Sequence, residues 1–225
     1  MRQRQIEDIH PDPVRPLTGM DILLFQGRHG MDKEDVCYYL GITQFQETCA
    51  LPQIPYTLEL LMRLFDEDPT PPPFKKDRIT LPALFQQMYG KKLKTFAGTE
   101  HEVEARVDLQ NRFSMLLGRS KGRAYRWLDE QAIRSGKTRA HDDILGILGK
   151  LTQRSDPGEA LERMGSYVWR LRGIDIDQKY PIPTLKNPPK REKRGRKPAH
   201  LKKDEEVAAT NSKTVKSRVV LLKKK

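Results

Sequence analysis

The stretch Asp68-Pro69-Thr70-Pro71-Pro72-Pro73-Phe74 constrains this 225-residue chain more than any other. Proline lacks the backbone N–H and fixes φ, so successive prolines end any helix and favour an extended spacer. On either side the apolar residues recur every three to four positions, as at Leu58, Leu61, Met62 and Phe65, which is the signature of helices with one buried face. Helices are expected over 20–25, 33–40 and 56–65 before the prolines, with Thr57 as the cap of the third. Five more are expected after them, over 81–89, 103–117, 120–128, 141–151 and 158–171. Val219-Val220-Leu221-Leu222 is the one β-like run. The fold class is therefore all-α: two small helical domains, at 18–68 and 78–178, joined by a proline-rich linker at 69–77. A short arm, 1–17, precedes them, and a basic tail, 179–225, follows a second proline cluster and reads as disordered when free.

Charge is distributed unevenly along these segments. Residues 1–73 hold 6 Lys/Arg against 12 Asp/Glu, residues 74–185 hold 21 against 14, and residues 186–225 hold 15 against 4. Basic segments attract a phosphate backbone through counterion release, so the middle and the tail are candidate nucleic-acid surfaces and the acidic first third is not. The acidic third is instead the expected seat of a homodimer contact or of a protein partner.

The two halves also share an order of features. Each has a helix ending in Leu-Gly (Leu40-Gly41, Leu117-Gly118), a leucine-rich later helix, and an acidic-proline pair read as a stop (Asp68-Pro69, Asp156-Pro157). A tandem duplication explains this; so does the commonness of Leu-Gly as a helix ending.

The segment Asp108 to Leu128 bears on function most directly. Leu109, Phe113, Leu116 and Leu117 share a helix face, Gly118 suits the positive φ of a tight turn, and Ser120 can cap the next helix. In that second helix Ala124, Trp127 and Leu128 fall inward, leaving Lys121, Arg123 and Arg126 outward. An ordinary helical hairpin with a solvated basic face has the same pattern. The segment resembles the helix-turn-helix of the Cro/C1 (lambda-repressor-like) regulators, with Phe113 to Gly118 as second helix and turn and Arg119 to Leu128 as recognition helix. The resemblance implies double-stranded DNA as ligand, with Arg119, Ser120, Lys121, Gly122, Arg123, Tyr125 and Arg126 as contact residues. The first half resembles the same family at Asp35 to Gly41, at Ile42-Thr43-Gln44 and at Ile54 to Leu64. Its counterpart of the recognition helix, Thr43 to Leu51, has no Lys or Arg, carries Glu47, and is cut short by Pro52, which implies a degenerate copy. Tyr38, Tyr39 and Phe45 there read either as core or as an exposed dimer patch.

In the tail, Arg194-Gly195-Arg196-Lys197-Pro198 resembles an AT-hook core, whose glycine between arginines lets the backbone sink into a narrow A·T minor groove. A polybasic phosphate grip and a nuclear-import signal are the competing readings of the same residues.

Other classes of function find little support. Gly136-Lys137-Thr138 lacks the earlier glycine of a phosphate loop, where Gln131 stands, and no strand precedes it. The five histidines (10, 29, 101, 141, 200) are scattered, and no serine–histidine–acid order or paired carboxylate stands out. Cys37 and Cys49 have no clustered ligand partner and fit reduced, buried thiols. Neither a membrane span nor a signal-peptide core is found. The expectation is a cytoplasmic, nucleoid-associated DNA-binding regulator of a bacterial mobile element that needs no metal or cofactor and is not an enzyme. A low-specificity architectural protein and a protein-interaction adaptor are the alternatives.

Overall fold

The computed structural model describes residues 14–69, 78–129 and 141–189, and among them every regular element is a helix. These are α1 (Gly19–His29), α2 (Lys33–Leu40), α3 (Phe45–Cys49), α4 (Tyr56–Glu67), α5 (Leu81–Phe96), α6 (Glu102–Leu116), α7 (Arg123–Leu128), α8 (Asp142–Thr152), α9 (Pro157–Leu171) and α10 (Ile176–Lys179). The all-α expectation is met. The AT-hook-like residues, the Gly136-Lys137-Thr138 segment and most of the proline-rich spacer lie outside the described residues.

The helix α4 decides how the two halves meet. Ten of its twelve residues are buried, so it is apolar or internally paired nearly all round and must be covered on every side. It packs against α2 of the first half and against α8 and α9 of the second. Residues on both sides of the prolines consequently share one hydrophobic core, in which Leu60, Leu61 and Leu64 meet Ile147, Leu151 and Leu161. The proline stretch divides the sequence but not the core.

Local signals act as physical chemistry requires, though not always with the expected outcome. Asp156-Pro157 starts a helix rather than stopping one: the Asp156 carboxylate accepts the Glu159 N–H at 2.9 Å, and Pro157 occupies the first helical position, where a missing N–H costs nothing. Asp68, by contrast, ends α4 in extended backbone. Thr57 is not the cap of α4, because Pro55 holds that position and Thr57 is buried inside the first turn. Of the three aromatic residues with two readings, Phe45 packs against the core, Tyr39 is half-buried beside Phe65, and Tyr38 is exposed.

Buried charges tie the helices together. Glu59, fully buried, accepts from Arg63 at 3.0 and 3.1 Å and from Arg172 at 2.6 and 3.1 Å. Arg112 donates to Glu162, to Asp177 at 2.6 Å and to the Tyr180 carbonyl at 2.7 Å, which fastens α10 to α6 and α9. At the C-terminal end of α4, Lys150 donates to the Asp68 carbonyl and Arg154 to the Leu64 carbonyl, so the end of α8 and the turn after it supply the cations that the end of a helix dipole favours.

Lys150 also makes stability depend on pH. Its buried ammonium lies 4.6 Å from the Phe65 ring centroid, and burial, opposed in part by the Asp68 carboxylate and aided by the Arg154 cation, lowers its pKa from the ordinary 10.5 to about 8. Between these two values the folded protein has released the proton while the unfolded chain still holds it, so stability rises with pH across that interval. Chemical denaturation from pH 7.5 to 10.5 should therefore show wild type gaining about 2 kcal/mol relative to Lys150→Met. A flat difference would contradict the assignment.

Candidate nucleic-acid interface

The helices α6 and α7 are consecutive and joined by a turn, and the end of α6 is fixed from beneath. The Tyr56 hydroxyl donates to the Leu116 carbonyl at 2.9 Å, its ring stacks on Trp169 at 4.4 Å, and Trp169 Nε1 donates to the Met115 carbonyl at 2.7 Å. The end of α6 is thereby pinned to α4 and α9. The chain then leaves the helix through a Schellman ending. The Arg119 N–H donates to the Ser114 carbonyl at 2.8 Å and the Gly118 N–H to the Met115 carbonyl at 2.8 Å, with Gly118 at φ +70°.

Gly118 is needed there for two reasons. Its φ is one that other residues rarely adopt, and a Cβ would lie 2.5 Å from Tyr56 Cδ1 and 2.8 Å from Thr57 Cγ2. Gly118→Ala should destabilise the protein by about 2–4 kcal/mol in urea unfolding. Gly122→Ala, at φ +81° but with open space around it, should cost only about 1 kcal/mol. Equal losses would show that the packing against Tyr56 does not matter.

The second helix starts later than its sequence suggests, at Arg123 rather than Ser120. Ser120 does not cap it. Two α6 side chains do that work instead: Asn111 Oδ1 accepts the Gly122 N–H at 2.9 Å and Ser114 Oγ accepts the Ala124 N–H at 2.7 Å. Neither residue was singled out from the sequence. The available signal was a pair of polar residues three apart, facing the turn on an otherwise apolar helix stripe.

The expected contact residues divide into two groups. Ser120, Lys121, Gly122, Arg123, Tyr125 and Arg126 are all exposed, Tyr125 at 64%. Ala124 and Trp127 are buried beneath them, as the helical period demands. Arg119 differs, for its Nη2 lies 2.6 Å from both carboxylate oxygens of Asp143 on α8. That guanidinium is committed to holding α8 beside the turn.

The stretch of the first half read from the sequence as its counterpart holds α2 and α3, with Gly41 at φ +67° after α2. Here α3 has five residues and no cation, while Asp32, Glu34, Asp35 and Glu47 are exposed. Cys37 and Cys49 are free thiols packed against the core, and burial pushes the Cys49 thiol up. Among the described residues no cluster of three or more His, Cys, Asp or Glu is arranged to hold a metal ion, and no helix is long and apolar enough to cross a membrane. No protein-family model matches the chain, nor does any curated protein or solved structure to which it was compared.

Proposed function

We propose that the protein is a sequence-specific regulator that binds double-stranded DNA, with the turn after α6 and the helix α7 as its reading element. The observation that carries this reading is the two-sided character of α7: Ala124 and Trp127 are buried, while Arg123, Tyr125 and Arg126, with Lys121 in the turn before them, are exposed. A short rigid helix with outward guanidinium groups suits the major groove, where arginine pairs with guanine edges and lysine with phosphates. An aromatic such as Tyr125 adds apolar contact with a thymine methyl group. The proposed setting is a bacterial mobile element, in which the basic tail contributes phosphate or minor-groove affinity.

A titration of randomised duplex DNA tests the reading, using the full chain and the Arg123→Glu/Arg126→Glu variant at several salt concentrations. Enrichment of one sequence by the wild type, lost in the variant, supports it. Binding without enrichment would favour a low-specificity architectural protein, and binding unaffected by the variant would overturn the assignment of α7.

A further inference from the structure

The side of α1 turned away from the core presents apolar groups to solvent. Met20 (59% exposed), Leu23 (39%) and Leu24 (55%) line one stripe with Gly27 at helical spacing. Ala50, Leu51, Pro52 and Gln53 are exposed beside it, since the Gly19 N–H donates to the Leu51 carbonyl at 2.8 Å and α1 packs on α3. Apolar side chains clustered on one helix face without cover mark an interaction surface.

We infer that this stripe is a two-fold interface between two copies of the chain, with the α1 helices packed antiparallel about an axis between Leu23 and Leu24. The inference rests on the DNA-binding reading only in the use made of the dimer, namely to present two α7 helices to one site. Three features select a second copy as the occupant.

First, the stripe is complementary to itself. Antiparallel pairing about that axis sets each Leu23 against the other copy's Leu24 and each Met20 against the other's Gly27, where nothing lies within 4 Å of a Cβ position. A large side chain thus meets the one residue that leaves room for it.

Second, the patch offers no free charge to a charged partner. Asp21, the one charged residue between Gly19 and Gly27, is buried and paired with Arg15 at 2.8 Å. At the end of α1, Arg28 pairs with Asp66 at 2.7 Å. From Thr43 to Pro55 the sole charged residue is Glu47.

Third, the segments after residue 73 carry the excess of Lys and Arg, so two copies repel one another wherever those surfaces meet. Contact through α1 avoids that repulsion. An isologous contact of this kind closes at two subunits.

Sedimentation equilibrium of the full chain without DNA tests the inference directly. Wild type should be dimeric at micromolar concentration, and Leu24→Glu should weaken self-association by about 100-fold or more. Gly27→Trp should do the same without changing charge, because the indole occupies the place of the other copy's Met20. Both positions are exposed, so the melting temperature of either variant, taken at a concentration where wild type is monomeric, should stay within about 2 °C of wild type. A wild type that stays monomeric at about 100 μM, or dimers that survive both substitutions, would overturn the inference. The DNA-binding reading is judged separately, by the binding of the monomeric variants to a single half-site.

Discussion

Replacing Glu59 by alanine should cost the protein about 3–5 kcal/mol of stability. The carboxylate is fully buried and is shared by Arg63, also fully buried, and Arg172, so its removal takes away the anion that both guanidinium groups bond. Breaking a buried ion-pair network is among the few causes of so large a loss. The damage would extend beyond the pair, since Arg172 also donates to the Ile54 carbonyl at 2.7 Å and Arg63 to the Arg15 carbonyl at 2.9 Å. For a chain of this size the melting temperature should fall by about 10 °C, and Glu59→Gln, which keeps the shape and one of the two acceptor oxygens, should fall by less. A loss below about 1 kcal/mol would mean that water or a shifted side chain replaces the anion.

On the proposed reading of α7, reversing Arg123 and Arg126 to glutamate should lower duplex affinity by about 10²–10³ at 0.1 M salt while leaving the fold intact. Both side chains are exposed, so stability has little reason to change. The affinity falls because two attractive charges become repulsive ones beside the phosphates. Fewer counterions are then released, and the slope of log affinity against log salt should flatten by about two. The same two residues would carry base discrimination if they reach guanine edges, so the preferred sequence should blur as well as bind more weakly. Arg119→Glu offers an internal contrast: that cation is engaged by Asp143, and its reversal should appear first as a loss of stability. An unchanged isotherm for the double variant would remove α7 from the interface.

Much of the local structure could be read from residue types alone. The period of apolar residues located the helices, the positive φ of Gly118 was foreseen from its place after Leu117, and the inward Ala124 and Trp127 followed from helical spacing. These are short-range matters: rotation per residue and the freedom of glycine depend on nothing distant.

What failed to show in the sequence depended on partners far along the chain. The start of α7 moved to Arg123 because Asn111 and Ser114 supply its caps across the turn. Arg119 is half-buried and paired because Asp143 stands beside it. Asp156-Pro157 has the composition of a stop as much as a start, and only the Glu159 N–H beside its carboxylate decides which.

The division between the two sources is sharpest at α4. Its own sequence marked it as a helix with one apolar face, at Leu58, Leu61, Met62 and Phe65, yet ten of its twelve residues are buried, far more than one face accounts for. That the second half of the chain, rather than another molecule, covers the excess was decided by tertiary structure, through Tyr56 reaching Leu116, Glu59 reaching Arg172, and Leu61 and Leu64 meeting α8 and α9. Burial needs a complementary surface, and the position of that surface is a property of the folded chain rather than of the helix that requires it.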